Sequence, residues 1–328
     1  MIDAVLEMIL GIFIVFLAAL IFVNALEYIG YRFRLGGSFV GAILAPVFTS
    51  FPEMTVFIVA VFFSRVETGE AIGVGTLFGQ PFMASSLSYG LVGLSALVGF
   101  HLKRRDHLTL EVDRSLLVPY IFITFLFPAT LLPAVLGCCN YIFGTLFLAA
   151  FLFYMLMMYQ RRGTDIIEDA EMPYFHRLLP HPFSPFIQLI IAVILLYYGS
   201  KSLIGGVDTV SEYLNISPFG LALIIVPAAT AIPETASALV WGYRGRDTLS
   251  LGSLVGEKIL YSTFYPGIGL FLTSWEIDIH AYMSVFVTTI VSLILLYFIN
   301  RERIPWYGLC TGIIFFVGYA ILIFVYGI

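Results

Sequence analysis

The chain has 328 residues, of which 60% are hydrophobic and only 11% charged, with a formal net charge of −5. Its mean hydropathy is +0.99. Soluble domains run roughly 45–50% apolar and about 25% charged, so these figures exclude a soluble globular chain and leave a polytopic membrane protein with hardly any soluble portion.

Apolar runs long enough to cross a hydrocarbon core of roughly 30 Å as helices recur along the whole length. In chain order the first half offers spans at Ala4–Ala25, Phe39–Ser64, Gly73–Phe100, Leu116–Leu136 and Tyr141–Tyr159. The second half offers Ser184–Leu203, Pro218–Trp241, Leu249–Thr273, Ala281–Ile299 and Pro305–Tyr326. The first run carries Asp3 and Glu7 in place of a basic leader, so it reads as a retained span and not a signal peptide. The second, third, seventh and eighth runs are the longest and the richest in Gly, Pro, Ser and Thr. The halves, 1–160 and 184–328, are joined by a polar stretch, 161–183. Its acidic residues Asp165, Glu168, Asp169 and Glu171 lack the spacing of a calcium-binding loop and read as a solvated linker.

The three cysteines, Cys138, Cys139 and Cys310, fit no common zinc spacing and read as small buried apolar residues. The five histidines, His101, His107, His176, His181 and His280, fall in loops or at span ends and read as solvated.

Basic residues orient the spans. One side receives Arg32 and Arg34; Lys103, Arg104, Arg105 and Arg114; Arg161, Arg162 and Arg177; Arg244 and Arg246; Arg301 and Arg303. The other receives Arg65 and Lys201, while Lys258 falls inside a span. The positive-inside rule puts the first group in the cytoplasm and both termini outside, which agrees with an even number of spans. The plasma membrane is the expected location.

Two motifs occur twice in order. Pro46-Val47-Phe48-Thr49-Ser50-Phe51-Pro52-Glu53 and Pro227-Ala228-Ala229-Thr230-Ala231-Ile232-Pro233-Glu234 both read P-x-x-T-[S/A]-x-P-E, 181 residues apart. Gly75-Thr76-Leu77-Phe78-Gly79 and Gly256, preceded by Gly252-Ser253-Leu254-Val255, both read G-[S/T]-L-x-G. Two related halves with five spans each must enter the membrane in opposite senses, giving an inverted-topology repeat. The expected fold is therefore all-α and integral to the membrane, with ten transmembrane helices in two inverted repeats of five and helices broken near the midplane. The G-x-x-x-G spacing suits close helix packing.

Well inside the expected spans lie Glu53, Glu234, Glu257 and Lys258. A charge at a helix centre costs roughly 2.5–3.5 kcal/mol on insertion scales, so four unpaired would cost on the order of 10 kcal/mol, the whole stability of many proteins. These groups must face one another, water or an ion. Pro46, Pro52, Pro227 and Pro233 each lack the N–H that would bond the carbonyl four residues back, and freed carbonyls in hydrocarbon need another partner. Thr49 and Glu53 share a helix face, as do Thr230 and Glu234. Carboxylate, hydroxyl and backbone oxygen together suit a hard cation such as Ca²⁺ or Na⁺. Lys258 admits three readings: neutralising Glu257 or Glu234, snorkelling to the interface, or acting as a tethered cation.

With these motifs the chain resembles the cation/Ca²⁺ exchanger superfamily, which includes sodium/calcium and proton/calcium exchangers. The family's G-T-S-L-P-E motif is matched by Phe48-Thr49-Ser50-Phe51-Pro52-Glu53 and Ala229-Thr230-Ala231-Ile232-Pro233-Glu234. The resemblance implies Ca²⁺ held between Glu53 and Glu234, helped by the carbonyls and hydroxyls of Thr49 and Thr230, and alternating access by sliding of the first and sixth spans. The chain departs from the family where a G-S-N motif is usual: it has Gly79-Gln80-Pro81 and Gly256-Glu257-Lys258, with Ala84 and Tyr261 a turn later.

The reading is a secondary antiporter exchanging Ca²⁺ or a related cation for H⁺ or Na⁺. Its ligand candidates are Glu53, Glu234, Thr49, Thr230, Ser50, Gln80 and Glu257, with Lys258 as ion-pair partner or tethered cation. No cofactor and no nucleic-acid partner are expected, only inorganic cations and membrane lipid. The alternatives are a transport-inactive ion sensor or scaffold, and a metal-dependent intramembrane enzyme, which the lack of a His or Asp partner near the glutamates disfavours.

Overall fold

The computed structural model describes residues 2–32, 49–64, 66–160, 172–177 and 181–327. Pro46, Val47 and Phe48 of the first motif, Arg34, Arg65, and the linker residues 161–171 lie outside the described residues.

The chain is nearly all helix. Helix α1 spans Ile2–Arg32; α2, Phe51–Ile58, runs on into a π-helical turn at Val59–Phe63. Next come α3, Gly69–Met83, a π-helical turn at Ala84–Ser88, and α4, Tyr89–His101. The first half closes with α5, Leu117–Ala129, the short α6, Leu132–Leu136, and α7, Asn140–Gln160. The second half comprises α8, Ser184–Leu214, α9, Pro218–Thr230, α10, Ile232–Tyr243, and α11, Asp247–Ser262. It ends with α12, Phe264–Leu272, α13, Ile279–Ile299, and α14, Trp306–Tyr326. Among the described residues, seven helices are long and apolar enough to cross a membrane, and α9 with α10 forms a further pair bent by 64°.

Burial sorts these helices. The Gly69–His101 rod has 67% of its apolar window buried, against 17% for Asn140–Met158, so the first is central and the second peripheral. Large apolar side chains such as Phe125, Leu146 and Ile314 point outward, as a lipid-facing belt requires.

Two span boundaries differ from those expected. Helices α1 and α8 reach 31 residues each, close to the 33 of the continuous Gly69–His101 rod, and α8 continues eleven residues past Leu203, where apolar character falls away. The extension persists because its polar groups are satisfied: Asp208 accepts from the Thr68 hydroxyl, and the Ser211 hydroxyl donates to the Asp208 carbonyl at 2.7 Å. It ends at Asn215, whose left-handed backbone (φ 53°) makes the cap. Helices α1 and α8 pack along each other through small residues. A Cβ on Gly11 would lie 2.4 Å from the Leu203 nitrogen, and one on Gly206 2.6 Å from Met8 Cα.

The loops sort onto two ends. At one end Leu110–Glu111 pairs antiparallel with Arg303–Ile304, the single departure from all-helix among the described residues. There Arg105 is buried and forms an ion pair with Asp247 at 3.0 Å, its remaining N–H groups donating to the carbonyls of His107, Thr109 and Gly242. Nearby, the Ser115 N–H donates to the Asp113 carboxylate at 2.6 Å and holds it below its usual range of titration. At the other end Asn140 donates to the Ser274 carbonyl, Ser274 donates to Glu70, and Ser217 donates to Asp278.

Two side-chain expectations are corrected. Cys138 and Cys139 are exposed, because they sit in the α6–α7 turn and not within a span. His280 is buried, enclosed at the start of α13 by Gly220 and bonded to the Tyr319 hydroxyl at 2.9 Å.

Candidate functional site

The two P-x-x-T-[S/A]-x-P-E motifs start their following helices in the same way. Ser50 and Ala231, the same motif position, have backbone angles of −86°, 3° and −85°, 4°. Each caps a helix that restarts with proline in its first turn, Pro52 in α2 and Pro233 in α10, where the missing N–H is one the helix would not use. Ser50 and Ala231 accept from Met54 and Thr235 at 3.2 and 3.1 Å. Glu53 and Glu234 thus both sit in the first turn of a helix, where orphan N–H groups and the macrodipole favour an anion.

The surroundings of the two carboxylates are unequal. Glu53 is 1% exposed, and both its carboxylate oxygens are buried without a hydrogen-bond partner among the described residues. Glu234 is partly exposed. The Thr230 hydroxyl, itself buried, donates to the Val226 carbonyl at 3.0 Å and lies close to the Glu53 carboxyl, leaving its oxygen lone pairs for another group. Ser50 shares a hydrogen bond with the Tyr265 hydroxyl, a partner from α12 that spacing along the chain did not suggest.

The second motif pair meets in space. Gln80 Nε2 donates to Glu257 Oε2 at 2.6 Å, and Thr49 Oγ1 donates to Glu257 Oε1 at 2.9 Å. The other Gln80 side-chain atom, Oε1, is buried and has no partner among the described residues. Tyr261 stands within electrostatic reach of Glu53, Glu257 and Glu234 together, and its buried hydroxyl likewise has no partner among the described residues. The Glu53 carboxyl also lies near that of Glu257. Buried oxygens without partners are uncommon in native structures and each asks for an explanation. Among the described residues no three His, Cys, Asp or Glu side chains could hold a metal by themselves. A cation here would draw on amide and hydroxyl oxygen as well as carboxylate, which is hard-ion chemistry.

The glycine pairs are not equivalent. A Cβ on Gly75 would stand 2.6 Å from the Phe219 carbonyl oxygen, and one on Gly79 2.5 Å from that of Leu223, so α3 and α9 touch backbone to backbone. Gly252 has no such neighbour, its nearest atom being Leu116 Cδ2 at 3.8 Å.

Lys258 neither pairs with a glutamate nor snorkels. It is fully buried, and among the described residues the ion pairs are Arg105–Asp247 and Arg114–Glu302. Its Nζ donates to Ser85 Oγ at 2.7 Å and lies 5.0 Å from the Tyr89 ring centre and 5.7 Å from that of Tyr120. Neighbours along a helix point about 100° apart, so Glu257 and Lys258 serve different pockets. Ser85, Tyr89 and Tyr120 were not legible as partners because they come from three separate elements.

A family profile described as "Sodium/calcium exchanger protein" matches residues 4–160 and 184–326. The putative antiporter CaxA of Alkalimonas amylolytica is 25% identical over 336 residues, covering 99% of each chain. The inner membrane protein YrbG of Escherichia coli K12 is 24% identical over 318 residues, covering 96% of this chain and 94% of that one. Among solved structures, the H⁺/Ca²⁺ exchanger CAX superposes with a TM-score of 0.73 at 17% identity, covering 97% of this chain and 82% of the other. The sodium-calcium exchanger NCX_Mj superposes at 0.57 with 21% identity, covering 98% of each. At these identities the structural likeness speaks for the fold.

Proposed function

The chain belongs to the sodium/calcium exchanger protein family, and from that premise we propose that it is a secondary antiporter exchanging Ca²⁺ or a related cation for H⁺ or Na⁺ by alternating access. Ten spans in two inverted repeats, 1–160 and 184–328 with 161–183 as cytoplasmic linker, form its frame. Both termini lie outside, and the basic ends of the helices face the cytoplasm of a plasma membrane. The matching backbone at Ser50 and Ala231 supports the repeat.

The observation that carries the transport reading is a group of buried oxygens that lack hydrogen-bond partners among the described residues: both oxygens of Glu53, Oε1 of Gln80 and the Tyr261 hydroxyl. With Glu234, Glu257, Thr49 and Thr230 they make an all-oxygen lining with several negative charges, suited to a hard divalent cation. The small-residue contact of α1 and α8 holds those two helices against each other, so that they can slide against the rest as one unit.

Purified protein in liposomes tests this. Imposed Na⁺ or pH gradients should drive Ca²⁺ uptake, and Glu53→Gln or Glu234→Gln should abolish it. Undiminished flux in both variants would remove the assigned site.

A further inference from the structure

Lys258 is a fully buried charged side chain that the oxygen lining does not use. Its ammonium has a cage built from three elements: the Ser85 hydroxyl from the π-helical turn Ala84–Ser88, the Tyr89 face from α4 and the Tyr120 face from α5. The cage is itself ordered, since the Tyr120 hydroxyl donates to the Tyr89 hydroxyl at 2.6 Å. One extra residue in a π turn changes which side chain faces inward, and such turns gather at functional sites. Hydroxyl oxygen and aromatic faces attract a monovalent cation, with rings within about 6 Å contributing attraction that grows when the charge is desolvated. Among the described residues no carboxylate stands within 4 Å of the ammonium to make it an ordinary ion pair, and Tyr89 and Tyr120 are the titratable groups that face it.

We propose that the Lys258 ammonium is a cation carried by the chain itself, seated in a position that a free monovalent cation such as Na⁺ would otherwise take. The exchange cycle then proceeds without binding a monovalent cation at that position. This rests on the antiporter reading of the neighbouring oxygens and deepens it: the ion exchanged against the divalent cation is not a Na⁺ bound beside Ser85.

The test removes the tethered charge and offers a free one. Lys258→Ala deletes the atoms from Cγ to Nζ, which propylammonium matches in length and charge. Thermal unfolding of the purified protein is followed in choline chloride, and with Na⁺ or propylammonium replacing choline at constant ionic strength. Any shift of wild type reports the oxygen lining alone, and Lys258→Ala should rise by about 3 °C or more beyond it with Na⁺ or propylammonium, since a ligand bound only by the folded form raises its midpoint. A variant indifferent to every small cation, or a wild type stabilised as much as the variant, would overturn the proposal. Should Lys258→Ala not fold, Lys258→Met carries the same comparison with Na⁺. In liposomes, wild-type Ca²⁺ uptake driven by a pH gradient should change less than about twofold when Na⁺ replaces choline on both sides; a tenfold stimulation would refute the tethered cation. The thermal readout needs no transport, so a wild type without flux would count against the antiporter and leave the role of Lys258 to be decided by the unfolding midpoints.

Discussion

Gln80 and Glu257 occupy the same place after the G-[S/T]-L-x-G motif of each half, 177 residues apart, and are hydrogen-bonded to each other at 2.6 Å. A contact between equivalent positions is what a pseudo-two-fold axis passing between α3 and α11 would produce. It also ties the two motif families together, because the same Glu257 accepts from Thr49, next to the Ser50 cap of α2. Neutral amide against carboxylate at this point holds the geometry while leaving Gln80 Oε1 for another partner.

That pair should be energetically coupled. Gln80→Leu leaves Glu257 Oε2 buried without its donor, and hydrogen bonds to charged groups are worth about 1.5–3 kcal/mol. A double-mutant cycle with Glu257→Gln, read by thermal unfolding, should return a coupling of about 1–3 kcal/mol. Additive effects would show that the contact contributes nothing to folding.

Glu53 should trade stability for binding. Its two oxygens are buried without protein partners among the described residues, so Glu53→Gln is expected to leave ion-free protein as stable as wild type or more so. The same change should weaken Ca²⁺ binding by about 100-fold, equivalent to roughly 2.8 kcal/mol. Unfolding midpoints with and without Ca²⁺ check both halves: wild type gains several degrees and the variant does not.

The two motif glycines should respond in opposite directions to an added methyl. Gly79→Ala drives a Cβ to 2.5 Å from the Leu223 carbonyl oxygen, a backbone atom that cannot swing aside, and overpacking of this kind costs about 1–3 kcal/mol. Gly252→Ala meets only Leu116 Cδ2 at 3.8 Å and should be neutral or gain up to about 1 kcal/mol of helix propensity. Thermal stability in detergent separates the two cases.

Breaking the Arg105–Asp247 pair should harm folding and not ion selectivity. Both side chains are nearly inaccessible, and removing one partner strands the other charge, at a cost of about 3–5 kcal/mol. Arg105→Ala should therefore lower folded yield and melting temperature, while the ratio of Na⁺-driven to H⁺-driven uptake stays unchanged. The double change Arg105→Met with Asp247→Leu should recover only part of the stability, because the carbonyls of His107, Thr109 and Gly242 still lose their donor.

The membrane class, the order of the apolar segments and both paired motifs follow from the sequence alone, because they are local: hydropathy is a property of a run, and a proline two residues into a helix restart acts on its own backbone. The matching helix start at Ser50 and Ala231 is the structural form of that local rule. Contacts between distant elements were decided only by tertiary packing. Helix α8 runs on to Leu214 because Thr68 satisfies Asp208, a partner 140 residues away. Likewise, adjacency along the chain pairs Lys258 with Glu257, yet the 100° turn between successive helical residues sends one to Gln80 and Thr49 and the other to Ser85 and two tyrosine rings. The sequence alone determined which charges enter the membrane; how they are divided between an oxygen lining and a separate cage depends on which faces of α3, α4, α5 and α11 meet.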